Sequence, residues 1–344
     1  PFDLEIGPLL RVTLLRLDGH EHLLLLTLHH IVSDGWSMGI LVREVQALYR
    51  GLTLPELPIQ YADFAAWQRQ WLAGEVLERQ LSWWREHLEG TSGVLELPTD
   101  HPRPAVLSLR GAEHRFELGG LDGELSRRLL DLGRREGATP FMILAAGLFA
   151  LLSRLSGQRD LNLGSPIANR NRIETEGLIG FFVNTLVLRA QVGREASFLD
   201  LLLQVREASL GAYAHQDLPF EKLVEELEPQ RSLAHAPLFQ VLFVLQNWER
   251  PTLDLTGLRL SSLETEVDTT KFDLTFTLSE NHRGLGGSLL YGTEIFDRTT
   301  IEPSAPRQVG AHHPKLVVCR RSGKGVSRAG SRRWLRCSSS KDWV

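Results

Sequence analysis

The chain has 344 residues, a formal charge of -4 at neutral pH, 42% hydrophobic and 23% charged residues. This globular composition excludes a disordered or fibrous chain and leaves room for two ordinary lobes, each with its own core. Its longest apolar stretches, such as Leu23 to Leu26 and Phe141 to Leu152, fall short of the ~20 residues of a bilayer span. Only Cys319 and Cys337 are present, which excludes a disulfide framework and a cysteine-based zinc site. No basic-then-apolar leader opens the chain, so the expectation is a soluble cytoplasmic protein with no membrane partner. Residues 303–344 carry ten Lys and Arg against one acid, Asp342, leaving 28 basic and 41 acidic residues before them. That basic tail shows no helical or strand period and is expected to be disordered or out of frame, with no nucleic-acid role. The pair His312-His313 within it is read as accidental.

Two strand-like runs open the chain, Arg11 to Leu17 and His22 to His30, joined as a hairpin through Asp18-Gly19. Strand alternation carried through the end of the second run places His29 and His30 on opposite faces. After Asp34-Gly35, Ser37 is expected to cap a helix whose apolar positions are Leu41, Val45, Leu48 and Tyr49, with Gly51 as its stop. A long helical stretch follows from about Tyr61 to Leu88, with Phe64, Trp67, Trp71, Trp84 and Leu88 near one face. Pro98, Pro102 and Pro104 then interrupt any regular element, and residues 98–111 read as a connection between lobes 1–97 and 112–302. The second lobe alternates helices (Leu121 to Glu136, Pro140 to Ser156, Ser197 to Gln216, Phe220 to Leu227) with strands. The strands are Asp160 to Leu163, Asn184 to Leu188, Phe239 to Gln246, Lys271 to Ser279 and Gly287 to Tyr291. The pattern is α/β.

The run His29-His30-Ile31-Val32-Ser33-Asp34-Gly35 carries the candidate chemistry. Acyl transfer from a thioester needs a nucleophile held against the carbonyl and its surplus proton managed. A histidine ending a rigid element can do both, and His30 is the candidate catalytic residue. His29 reads as a structural, hydrogen-bonded histidine, and the pair is a poor metal site because adjacent strand residues diverge. Asp34 reads as an architectural acid held by a turn hydrogen bond or an arginine. Gly35 permits close approach of backbone or substrate.

The string resembles the core motif of the condensation domains of nonribosomal peptide synthetases, and further motifs follow in the family's order. They are Tyr61-Ala62-Asp63-Phe64-Ala65-Ala66-Trp67-Gln68, Ile179-Gly180-Phe181-Phe182-Val183-Asn184-Thr185, His215-Gln216-Asp217-Leu218-Pro219-Phe220-Glu221, and Arg231 with Pro237 to Phe243. The resemblance implies two chloramphenicol-acetyltransferase-like lobes in a V, the first incomplete here. It implies a tunnel reached by two phosphopantetheine arms on upstream and downstream peptidyl carrier domains, with an adenylation domain adjacent. No cofactor or metal is then bound directly. His30 would position the acceptor amine, either taking its proton or acting by placement alone, Asp34 would keep the loop in shape, and Trp36, Asn184 and Thr185 would line the tunnel, with service to local backbone groups the equal alternative for Asn184. Tyr61 to Gln68 and Pro237 to Phe243 read as packing or interlobe contacts, and Asn169-Arg170-Asn171-Arg172 as a solvated loop first and a contact with a carrier domain or with Asp34 second. His29 argues against the heterocyclising subclass, and Asp34 to Gly39 resembles the amide-forming type with an L-configured donor. After Ile301-Glu302 the family's closing helix gives way to the basic tail, as a reading-frame shift would leave it. The rival expectations are a free-standing acyltransferase using coenzyme A or a carrier, and a degenerate docking platform.

Overall fold

In the computed structural model, which describes residues 2–117, 123–227, 232–246, 253–263, 267–281, 284–302 and 316–321, two sheets organise the chain. The first begins at a self-closing turn. Asp18 accepts backbone N–H bonds from His20 at 2.7 Å and Glu21 at 2.8 Å, which folds β1 (Leu10–Arg16) back on β2 (Glu21–Leu28). The pairing is antiparallel, with Leu10 opposite Leu28.

Strand β2 stops at Leu28, so the alternation expected to separate His29 from His30 does not reach them. Backbone bonds from Val32 to His29 (3.1 Å) and from Ser33 to His30 (3.3 Å) tighten His30–Val32 into a 3-10 turn instead. Helix α1 (Gly35–Tyr49) follows at once, and its N-cap is Asp34, not Ser37. A carboxylate at this position accepts the orphan N–H of the first turn and suits the positive end of the helix dipole.

The expected long helix is two helices, α2 (Tyr61–Trp71) and α3 (Gly74–His87). The break falls at Gly74, whose φ of 54° is a left-handed backbone that glycine adopts without a Cβ penalty. α3 lies before the proline segment but packs against the half that follows it. Its Leu81 and Trp84 are 1% exposed and share one apolar core with Phe149, Leu163 and Leu202 of the second half.

That core covers a mixed sheet built from β3 (Gly111–Glu117), β4 (Asp160–Ile167), β5 (Asn184–Gln191), β6 (Val241–Gln246), β8 (Leu274–Asn281) and β9 (Gly284–Gly292). Its order is β3-β9-β8-β6-β4-β5, with β6 parallel to β4 and β8 and the other pairs antiparallel. The helices beside these strands are α4 (Gly123–Glu136), α5 (Pro140–Ser156), the single turn α6 (Ile173–Glu176), α7 (Phe198–Ala214), α8 (Phe220–Leu227) and α9 (Arg298–Ile301). Local sequence starts the two long ones: Thr139 caps α5 ahead of Pro140, and Ser197 caps α7 in a reciprocal box with Asp200.

The first sheet is completed from far along the chain. Its order is β1-β2-β10-β7, all antiparallel, with β7 at Leu258–Leu263 and β10 at Leu316–Arg321. β7 therefore crosses the expected lobe boundary. β10 places a strand in the tail, where no period was read; a six-residue strand between two partners needs only backbone pairing, which composition does not announce. Arg231 and His312-His313 lie outside the described residues.

Candidate active site

Both histidines of the pair engage their Nδ1 atoms, in opposite senses. His29 Nδ1 accepts the N–H of Ile31 at 3.1 Å, which caps the 3-10 turn, and the Phe2 ring stands edge-on at 5.6 Å. His30 Nδ1 lies 2.6 Å from the carbonyl oxygen of Ser33. A carbonyl only accepts, so this contact takes a proton on His30 Nδ1, and in the neutral imidazole the lone pair then lies on Nε2. As neutral imidazoles the adjacent rings are therefore opposite tautomers, His29 accepting at Nδ1 and His30 donating from it. The edge-to-face partner of His30 is Phe181, centroid to centroid 5.0 Å at 87°.

Asp34 points into the protein. Its Oδ1 accepts from Ser37 N (2.8 Å), Ser37 Oγ (2.7 Å) and Arg170 Nη2 (3.2 Å), and its Oδ2 accepts from Phe182 N (3.0 Å). The Asp34 and Arg170 side chains are 3% and 1% exposed. Arg170 also donates to the carbonyls of Thr175 and Leu178, and its guanidinium lies 4.1 Å over the Phe182 ring. Burial lowers its pKa, and the Asp34 carboxylate opposes that shift. The solvated-loop reading of Asn169 to Arg172 is therefore corrected at Arg170. A guanidinium with five donors is drawn inside when one buried carboxylate and several carbonyls face it.

Ser37 and Tyr61 complete the same clamp. Gly180 N donates to Ser37 Oγ at 3.1 Å, and Tyr61 Oη donates to the Phe181 carbonyl at 2.7 Å. Tyr61 is held protonated: burial raises its pKa, and the Asp34 charge adds to that. Three consecutive residues, Gly180 to Phe182, are thus tied to Ser37, Tyr61 and Asp34. Gly180 is required by close approach, since a Cβ there would meet Tyr61 Cδ2 at 2.3 Å.

The remaining expected positions divide. Trp36 is 42% exposed beside the turn, and its indole N–H donates to Glu176 O at 3.0 Å. Asn184 turns inward; its amide donates to Gln216 O and Leu218 O at 2.8 Å, and its oxygen accepts from Thr185 N and Phe220 N. Asn184 thereby holds the start of α8 against β5 and offers no spare polar atom to a channel. Thr185 is half-buried at the start of that strand. Sequence reading placed Ser37 only at the helix start and ranked contact of the Arg170 loop with Asp34 second; the signal for both was the single acid Asp34, whose burial demands a cation and donors from elsewhere. A cleft of about 520 Å³ lies apart, lined by Trp83, His87, Arg189, Gln191 and Gly211 and by none of the residues named above. Among the described residues no group of three or more His, Cys, Asp or Glu is arranged to hold a metal ion.

The family model for the condensation domain matches residues 1–308. The chain belongs to the condensation-domain family. Its relatives include a linear gramicidin synthase protein from Brevibacillus parabrevis, 51% identical over 310 residues, covering 88% of this chain and 6% of that protein. Phosphinothricin tripeptide synthetase PhsC of Streptomyces viridochromogenes is 47% identical over 309 residues, with 88% and 28% covered. The domain thus spans a small part of the curated synthetases it matches. Among solved structures, the X-domain in its complex with OxyB from teicoplanin biosynthesis superposes with a TM-score of 0.79 at 31% identity, covering 87% of this chain and 68% of that one. The condensation domain of the monacolin K polyketide synthase MokA has a TM-score of 0.71 at 23% identity, covering 87% and 70%, and shows the shared fold. The mixed α/β architecture is that of condensation domains, and the curated proteins the domain matches are peptide synthetases such as the phosphinothricin tripeptide synthetase. Among the described residues no single helix is long and apolar enough to cross a membrane.

Proposed function

We propose that this condensation domain transfers a donor acyl or peptidyl group from one carrier-borne thioester to the amine of an aminoacyl thioester on a second carrier. Condensation domains of such synthetases work with carrier and adenylation domains. The specific partners in this reading are the upstream and downstream peptidyl carrier domains and an adjacent adenylation domain. Each substrate hangs on a 4'-phosphopantetheine arm of its carrier.

The observation that carries the reading is the 2.6 Å contact of His30 Nδ1 with the Ser33 carbonyl. With Nδ1–H held by Ser33 O, Nε2 is an acceptor presented from a rigid turn. It can hold the acceptor amine by an N–H bond and take the proton released as that nitrogen attacks. The C–N bond forms, the C–S bond breaks, and the proton on Nε2 returns to the departing thiolate. No metal, nucleotide or oxidant enters this balance. Asp34 acts through the loop: it holds the turn and the Gly180–Phe182 segment in place while its own oxygens are fully engaged. Trp36 and Thr185 are proposed as tunnel-facing positions, in a two-lobed arrangement of residues 1–97 and 112–302 joined by 98–111. An L-configured donor and a cytoplasmic location belong to the same reading.

The test supplies the full protein that carries this domain with a donor-loaded and an acceptor-loaded carrier and follows the condensed product by mass spectrometry. His30→Ala is expected to reduce product formation ~10²–10⁴-fold, the range of a positioned acid–base group. Unchanged product in that variant overturns the assignment.

A further inference from the structure

His30 is secured at one nitrogen only. Its Nδ1–H bond to Ser33 fixes the tautomer but leaves rotation about that bond as a soft motion, and a soft imidazole misplaces Nε2. The second restraint is the edge of Phe181, nearly perpendicular to the imidazole at 87°. Phe181 belongs to a loop of the second half, so its placement has to be set against the first half.

The neighbouring residues Gly180 and Phe182 are held through Ser37 and Asp34. At Phe181 itself the restraint is Tyr61, whose phenol donates to its carbonyl at 2.7 Å. Tyr61 is seated by aromatic contacts with Phe64 (6.2 Å) and Phe182 (5.1 Å, 90°), and α2 begins at this residue in a capping box between Gln60 and Asp63. Its hydroxyl is therefore delivered from a fixed helix end. The influence of Tyr61 on His30 passes through the Phe181 backbone and ring.

We infer that Tyr61 is a positioning residue for the condensation reaction: by fixing the Phe181 carbonyl it holds the Phe181 ring against His30 and keeps Nε2 on the line of the acceptor amine. This rests on the assignment of His30 above. It extends the site along a path from α2 through the 180–182 loop to the imidazole, and it gives the phenol of an otherwise packing motif a role in the reaction.

The expected signature is a turnover effect without a binding effect. In the full protein with both carriers loaded, Tyr61→Phe keeps the ring packing and removes one hydroxyl. It is expected to lower kcat ~10-fold while KM for the acceptor-loaded carrier stays within about twofold, since misplacement acts on the reacting geometry. Phe181→Leu keeps the backbone bond and removes the ring edge, and is expected to lower kcat similarly. The double variant is expected to fall no further than either single one, because both act through one contact. The ring ¹⁵N spectrum of His30 should show broadened or mixed tautomers in both variants, a change that mere destabilisation of α2 does not produce.

The outcomes separate cleanly. If His30→Ala is inactive while Tyr61→Phe retains wild-type kcat and a wild-type His30 ¹⁵N spectrum, the positioning role is overturned and the assignment of His30 stands. Additive losses in the double variant also overturn it, because two independent restraints would then be acting. If His30→Ala itself retains full kcat, the underlying assignment fails first.

Discussion

Asp34 and Arg170 form the most confined charge pair of the site, with both side chains almost fully withdrawn from water. Removing one member leaves the other charge buried and unpaired, which is far worse than losing a surface pair. Arg170→Met is therefore expected to destabilise the folded chain by about 3–5 kcal/mol in urea unfolding. Asp34→Asn/Arg170→Met together should recover part of that loss; a single variant of wild-type stability contradicts the clamp. Much of the chemistry-bearing pattern was visible in the sequence at this level, because a short string with fixed side-chain types needs no tertiary information. What it could not decide was which reading of the arginine loop holds. Arg170 stands 136 positions from Asp34, and nothing in a polar Asn-Arg-Asn-Arg run distinguishes a solvated loop from a buried clamp. The histidine alternation failed for a similar reason: the strand pattern extends through Leu28, but the cap of α1 and the 3-10 bonds take the chain from there.

Helix α3 shows how one element ties sequence-distant parts together. Its last residue, His87, stacks on Trp83 at 4.6 Å, and Trp83 also stacks on His215 at 4.6 Å. Burial first, and nearby Arg189 second, lower the His87 pKa from 6.5 to about 4. The folded chain then resists a proton that the unfolded chain binds. The sign follows: this group leaves stability unaffected above pH 6.5, lowers it as pH falls from 6.5 towards about 4, and gives its full penalty below that. His87→Gln is expected to remove this component, so urea midpoints of wild type and variant should converge near neutral pH and diverge on acidification, with the wild type losing more. Parallel curves contradict it. Helices α5 and α7 were readable from caps and apolar spacing alone, whereas the split between α2 and α3 was not, because one left-handed glycine overrides a continuous helical period.

Considered as one molecule, the chain packs its parts together across the proline segment. Trp84 lies in the core with Phe149 and Leu202, its indole N–H donates to His215 O at 3.0 Å, and β7 joins the sheet begun by β1 and β2. Trp84→Ala should therefore cost about 3–5 kcal/mol and lower one shared unfolding transition, seen equally by probes in either half; two separated transitions contradict that coupling. Long-range pairing of this kind has no local signature, which is why the fold class was legible and the topology was not. The same coupling delivers the Gly180–Phe182 loop to the histidine turn, so the candidate site is assembled only in the folded whole. We propose that His30 acts on the substrates and His29 only shapes the turn. Single-turnover transfer between two loaded carriers tests it in three forms of the full protein: wild type, His29→Ala and His30→Ala. His29→Ala is expected to lose about 1 kcal/mol of stability as a missing cap and to keep the transfer rate within about tenfold, while His30→Ala loses ~10²-fold or more. Equal losses in the two variants, or a larger loss at His29, contradict the account.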